Sequence, residues 1–200
     1  TVFLDVRRDV SIDDLAVVPA WHDGQLWLHC SGLLQGKPSG PVHLALRVAT
    51  EELAFEPLVQ AGRFDVRRPL PADLARWQPA GQGLPRLHVL QVDLHDQHAT
   101  LDHHEVTFGI AEVTWADHET VIINGERRLR PTAYHLCEPL LEAATLDAAD
   151  DEGRLLVGVL PFPEPSRLPA ELSVRAVVLA EQVRRLTARH PCLAGWEFAP

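Results

Sequence analysis

A mainly β chain ending in a short α/β segment is predicted by three observations. From the start to about residue 123, apolar and polar residues alternate in short runs broken by turn residues, with no long helical pattern between them. Asn124-Gly125 then stands between Val121-Ile122-Ile123 and Glu126-Arg127-Arg128-Leu129. Asn-Gly suits a two-residue type I′ hairpin, because both central residues must take positive φ. After Arg130 the apolar spacing changes to that of helices separated by short, continuously apolar strands.

The β elements follow in order. Val2, Leu4 and Val6 alternate with polar neighbours, and Ile12 to Val18 reads as a strand. Asp23-Gly24 turns it into Gln25 to Leu33, where Leu26, Leu28 and Cys30 face one way and Trp27, His29 and Ser31 the other. Gly36, Pro38, Ser39 and Gly40 make a loop. Val42, Leu44, Leu46 and Val48 alternate next, then Phe64 and Val66, then Leu90, Val92 and Leu94. A last strand ends in Phe108-Gly109. Short strands punctuated by turns imply an antiparallel sandwich of the immunoglobulin type.

In the final part, Pro139 is well placed to open a helix and Gly153 to stop it, with Leu140, Leu141, Ala144 and Ala148 along one side. Leu155 to Leu160 is a buried-strand pattern, followed by the turn Pro161-Phe162-Pro163-Glu164-Pro165. Pro169 opens a second helix whose Leu172, Ala176, Leu179, Val183 and Leu186 share a face, and Pro191 ends it. Cys192 to Phe198 is another apolar strand. Helix, strand, helix, strand implies parallel strands joined by a right-handed crossover. Two such strands make neither a stable open sheet nor a barrel, which takes eight. Apolar surface on Leu155 to Leu160 and on Leu172, Leu179 and Leu186 is therefore expected to be exposed and to favour association.

Composition narrows the function. Apolar residues make up 46% and charged residues 23%, as in an ordinary globular protein. A formal charge of −10 argues against a nucleic-acid partner, which calls for a basic face. Lys37 is the only lysine; no function is assigned to that bias toward arginine. Cys30, Cys137 and Cys192 are far apart and in no metal-binding spacing, so buried free thiols are the reading. With neither a signal peptide nor a membrane span visible in this chain, the location is expected to be cytoplasmic. No run approaches the ~18 apolar residues of a membrane span, so no membrane partner is expected. No leader opens the chain, and both ends look cut from something longer.

Five motifs occur in a telling order. Phe108-Gly109 precedes the Asn124-Gly125 hairpin; Trp77-Gln78-Pro79 and Pro85-Arg86-Leu87-His88-Val89-Leu90-Gln91-Val92 lead into a strand; Leu129-Arg130-Pro131-Thr132-Ala133-Tyr134-His135 follows the hairpin. Leu146-Asp147-Ala148-Ala149-Asp150-Asp151-Glu152-Gly153-Arg154-Leu155-Leu156-Val157 and Arg189-His190-Pro191 with Trp196 complete the series. The chain resembles glycoside hydrolase family 2, which contains β-galactosidases, β-glucuronidases and β-mannosidases, over nearly its full length. The matching family patterns are "FG" and "NG…LRG", "W-x-P…P-x-L-x-x-L-x-V", "LRGVNYH", "LDLADELGLLV" and "NHPSI…W". The resemblance implies that residues 1–10 end a preceding jelly roll or linker, 11–123 form the immunoglobulin-like sandwich, and 124–200 form a small, incomplete α/β segment derived from a TIM barrel.

Departures bear on activity. The family's Arg after "FG-x" is Ala111 here, and the Gly and Asn of "GVN" are Pro131 and Ala133. Between His135 and Leu146 too few residues remain for a helix, a second barrel strand and a loop. The acid/base Glu of "W-x-x-G-N-E" would fall one position beyond Pro200, and the nucleophile belongs to a later strand. A retaining glycosidase needs two carboxyl groups about 5 Å apart. No catalytic residue is therefore assigned, and the chain is expected to be a non-catalytic portion of a family 2 type glycosidase, its partners the remaining domains or a homo-oligomer mate. The alternatives are a carbohydrate-binding or protein-interaction module, or a degenerate pseudoenzyme subunit.

Three residues are candidates for substrate contact. Glu164 and Glu197 fall at or near the C-terminal ends of the two parallel strands, where barrel active sites gather. His135 falls on the first-strand histidine that, in the family, helps line the sugar pocket. Trp21 and Trp27 are weaker candidates for sugar stacking than for packing. The cluster His95, Asp96, His98, Asp102, His103, His104 and Glu105 lacks zinc spacing, and its adjacent His103 and His104 must point to opposite faces. No metal and no cofactor is expected.

Overall fold

The structure, a computed structural model, describes residues 10 to 198 apart from 39, 50, 59–61, 72, 136–142 and 161. It is mainly β, with 51% strand and 18% helix. Two compact units are present: residues 1–72 with 88–107, and residues 73–87 with 108–200.

The first unit is the sandwich. One sheet has the order β1 (Val10–His22), β2 (Gln25–Gly36), β5 (Arg63–Pro69); the other has the order β4 (Glu51–Leu58), β3 (Val42–Val48), β6 (Leu87–His95), β7 (Thr100–Gly109). Asp23 and Gly24 both take positive φ, 49° and 76°, which is the type I′ geometry that their side chains favour. The expected alternation holds: Leu26, Leu28 and Cys30 of β2, Phe64 and Val66 of β5, Leu44, Leu46 and Val48 of β3, and Leu90, Val92 and Leu94 of β6 are all buried. The Ile12 N–H donates to Asp102 Oδ2 at 2.7 Å, tying β1 to β7. Two histidines of the cluster are hydrogen-bonded to carboxylates: His103 Nδ1 lies 2.6 Å from Asp93 Oδ1 and His104 Nε2 3.0 Å from Asp102 Oδ2.

The second unit holds two small sheets. β8 (Val113–Trp115), β9 (Thr120–Ile123) and β10 (Glu126–Leu129) are antiparallel, in the order β10-β9-β8, and Asn124 (φ 51°) and Gly125 (φ 89°) make the predicted hairpin. β11 (Thr132–His135), β12 (Leu156–Leu160) and β13 (Leu193–Phe198) form a parallel sheet in chain order. Helix α1 (Ala143–Glu152) precedes β12, and helix α2 (Ala170–Thr187) joins β12 to β13. Gly153, with φ 67°, ends α1 as expected.

Two expectations about the second unit need correction, and one holds. The buried face of α1 is Leu146, Ala149 and Asp150, whereas Ala144 and Ala148 are exposed; Pro139, Leu140 and Leu141 lie outside the described residues. On α2, Leu172 and Leu179 are 51% and 45% exposed, as expected, and the buried residues are Ala176, Val183 and Thr187. α2 is aliphatic on more than one side, and the close approach to β12 selects its smaller residues. Leu156 to Leu160 are buried rather than exposed. Trp77, Leu146, Ala149 and Cys192 cover Leu156 at one end, and Val183 packs on Leu160 at the other.

Cys30 and Cys192 are free and buried; Cys137 lies outside the described residues. Burial, then the charge of Asp65, pushes the Cys30 thiol up to about 12. Burial, then Asp150, pushes Cys192 up as well. A raised thiol is almost never the reactive thiolate at neutral pH. Peptide-resolved alkylation at pH 8 should leave both unmodified in the native protein and modify both in denaturant. Rapid native labelling of either would contradict the burial described.

Candidate functional site

The parallel sheet places two of the three candidates in one row. His135 pairs with Val159, and Val159 with Glu197. Neighbouring strands lie about 4.8 Å apart, so the backbones of His135 and Glu197 are separated by about 10 Å. The side chain of His135 lies outside the described residues. Glu164 is elsewhere: it is exposed, it precedes the single 3₁₀ turn Pro165–Arg167, and its Oε2 lies 3.8 Å from Arg167 Nε.

Glu197 lines a cavity of about 380 Å³ together with Trp115, Asp117, His118, Arg130, Val157 and Trp196. Its carboxylate is ion-paired with the Arg130 guanidinium. Arg130 also donates from Nη1 to the His118 carbonyl at 3.4 Å, and its main-chain N–H bonds the Glu119 carbonyl at 2.7 Å. Trp115 donates from Nε1 to the Ala194 carbonyl at 2.9 Å, which fixes its indole against β13. A Cβ on Gly195 would lie 3.0 Å from that nitrogen, so glycine there makes room for the ring. Trp196 reaches the cavity from β13, but its ring packs with Leu160 and Val183 on the helix-covered face. The loop that carries Asp117 is closed by its own bonds: Oδ1 accepts from the Glu119 N–H at 2.8 Å, and the Ala116 N–H donates to the Thr120 carbonyl at 2.9 Å. The Glu119 N–H holds the Asp117 carboxyl below the usual range against the opposing effect of desolvation, with Thr120 and Arg127 lowering it further.

A second constellation is fully buried. Asp150 of α1 accepts from Cys192 N–H at Oδ1 (2.9 Å) and lies 2.6 Å from His190 Nδ1 at Oδ2; the Trp77 indole N–H donates to its main-chain carbonyl at 2.8 Å. Asp150, His190 and Cys192 offer ligand atoms within 4.8 Å of one another. They do not suit a metal. Ligands about 2.0–2.3 Å from a tetrahedral ion stand well over 3 Å apart, farther than the Asp150–His190 contact. The trio is a satisfied polar core that ties the 73–87 segment, α1 and the approach to β13 into one unit.

Sequence reasoning selected Glu197 from its place near a strand end but missed Arg130, Trp115, Asp117 and His118. It quoted Trp77, Asp150 and His190 within separate motifs without joining them. No local pattern links the three motifs.

No protein-family model and no curated protein matches the sequence. Solved structures do match in fold. A β-D-mannosidase from Dictyoglomus thermophilum aligns with a TM-score of 0.70 at 17% identity, covering 96% of this chain and 30% of that one. A β-glucuronidase from Bacteroides uniformis gives 0.69 at 13% identity, covering 95% and 29%. A family 2 β-galacturonidase from Eisenbergiella tayi gives 0.70 at 13% identity, covering 96% and 41%. The chain therefore spans well under half the length of these glycosidases, and nearly all of it has the fold of a family 2 glycoside hydrolase domain.

Proposed function

We propose that this chain is the non-catalytic β-sandwich portion, with an adjoining barrel-derived segment, of a family 2 type glycoside hydrolase. The parent activity is retaining hydrolysis of a terminal β-glycoside, the work of the sandwich is architectural, and residues 124–200 belong to the barrel. The supporting observation is the fold likeness over about 95% of this chain against roughly 30% of the mannosidase and glucuronidase. The carboxylates suit a supporting role: Glu164 lies near Arg167 and Glu197 is paired with Arg130. Incubation with chromogenic β-galactoside, β-glucuronide and β-mannoside should give no turnover. Turnover that disappears in Glu164→Gln or Glu197→Gln would overturn the reading.

The partner in this reading is the rest of a longer glycosidase or a second copy. Support comes from α2, whose Val174, Val177 and Val178 are 66%, 52% and 62% exposed on the side of the helix away from the buried Ala176 and Val183. Sedimentation of the isolated chain should show self-association that Val174→Glu with Val178→Glu abolishes; a monomer at all concentrations would remove the patch as a contact. No described helix is long and apolar enough to cross a membrane. The cytoplasmic assignment is part of the proposal and is supported by the free buried thiols.

A further inference from the structure

We propose that His43 and His95, side by side on the outer face of the sandwich sheet β4-β3-β6-β7, bind one divalent cation of the Zn²⁺, Ni²⁺ or Cu²⁺ class, independently of any glycosidase role. The two residues are register partners on the neighbouring antiparallel strands β3 and β6. Directly opposite residues have Cβ atoms about 4.5–5.5 Å apart, and their side chains leave the sheet on the same face. That face is the outer one: Val42, Leu44 and Leu94, which alternate with the histidines, are buried in the core, while both histidines are partly exposed. Imidazole nitrogens about 2.0–2.1 Å from an ion stand roughly 3 Å from each other, a spacing that two rings on adjoining strands reach by side-chain rotation. No sequence spacing announces the pair, because strand register brings it together.

The surroundings orient both rings. Asp96 Oδ1 accepts from the N–H groups of His98 (2.8 Å) and Ala99 (2.7 Å), and the Asp96 N–H donates to the Ala99 carbonyl at 3.0 Å. These bonds close the β6–β7 hairpin and return Thr100 to His95, with Thr100 Oγ1 3.1 Å from His95 Nδ1. A hydroxyl that accepts from Nδ1–H leaves Nε2 to present its lone pair, as the outer-shell partners of metal-binding histidines do. The His43 ring has no hydrogen-bond partner among the described residues; it is stacked on Phe55, with centroids 4.9 Å apart and planes 7° from parallel. Phe55 also meets His95, at 6.3 Å. Because β3 lies between β4 and β6, Phe55 reaches the pair from beside it and walls one side. Phe55 is itself 52% exposed, so an ion has access from solvent. Imidazole donors select borderline cations over Mg²⁺ and Ca²⁺, which take oxygen ligands.

Calorimetry with Zn²⁺, Ni²⁺ and Cu²⁺, each added to the metal-free whole chain, tests this. One ion per chain should bind, with Kd on the order of 10 μM for Ni²⁺ and tighter for Cu²⁺. Mg²⁺ and Ca²⁺ should give no saturable heat, although the formal charge of −10 attracts any cation. Because the ion bridges two strands, about a hundredfold excess over Kd should raise the melting temperature by several degrees. His43→Asn and His95→Asn should each weaken binding at least about tenfold and remove the melting shift, and Thr100→Val should weaken it by loss of orientation alone. His22→Asn, which removes an exposed histidine of β1, should leave binding unchanged. Nuclear magnetic resonance of the parent protein gives a readout that needs no variant: Ni²⁺ or Cu²⁺ should broaden the ring protons of His43 and His95 before those of any other histidine. Absence of saturable binding by all three ions overturns the proposal, as does binding that His43→Asn and His95→Asn leave unchanged. First broadening at other histidines, or equal binding of Mg²⁺, overturns it as well.

Discussion

Replacing Asp150 with alanine is expected to destabilise the protein by about 3–5 kcal/mol, the range for removing one partner from a buried charged network. The carboxylate is 3% exposed and serves two buried donors, His190 Nδ1 and the Cys192 N–H. Alanine leaves both donors unpartnered inside the unit, where each orphan costs about 1–3 kcal/mol. The Trp77 bond survives, because it ends on the main-chain carbonyl of Asp150. Asn in place of Asp should recover part of the loss, since its single carbonyl can still take the Cys192 N–H. A second readout separates this from a generic packing defect: in Asp150→Asn the charge that helps hold up the Cys192 thiol is gone, so native alkylation of Cys192 should speed up relative to Cys30. Urea titration giving Asp150→Ala a loss below about 1 kcal/mol would show that the network is not satisfied as described.

What the sequence made legible and what it hid divide along physical lines. Features that depend on a few adjacent residues were readable. Asp23-Gly24 and Asn124-Gly125 turn as their side chains dictate, and the alternating strands bury the faces that their patterns indicate. β4 was missed because Glu51, Glu52 and Glu56 interrupt its pattern and a register shift between Leu46 and Arg47 breaks the parity with β3. β8 has three residues, too few to establish a period. On α2, helical spacing found an aliphatic stripe but could not choose among several; Thr187 won a buried place because its hydroxyl donates back to the Val183 carbonyl at 2.8 Å. The site was harder for the same reason. Glu197 could be suspected from its strand end, but Arg130 stands 67 positions away, and no periodicity links the two. Side chains brought together by parallel strand order are invisible to local pattern until the order itself is known.

Gly109→Ala should be the most damaging single methyl group that can be added to the second unit. A Cβ at Gly109 would lie 2.2 Å from Pro191 Cγ, 2.8 Å from Cδ and 3.0 Å from Cβ. The pyrrolidine ring has no rotamer by which to withdraw. Its neighbours give no slack: His190 and Cys192 are buried on Asp150, and the Gly109 N–H donates to the Arg189 carbonyl at 3.0 Å. Relief therefore requires moving the strand end or the segment that enters β13, and overpacking of this kind costs about 3 kcal/mol or more. Gly125→Ala is the control, because Gly125 has φ 89° but open space around its missing Cβ, so only backbone strain of about 1 kcal/mol is added. The contact itself is isolated by a double-mutant cycle. Pro191→Ala should cost stability alone yet restore part of what Gly109→Ala loses, a coupling of about 1–2 kcal/mol between residues in direct contact. Additive losses in the cycle, or a Gly109→Ala variant within about 0.5 kcal/mol of the parent protein, would mean that glycine at the end of β7 is not required by Pro191.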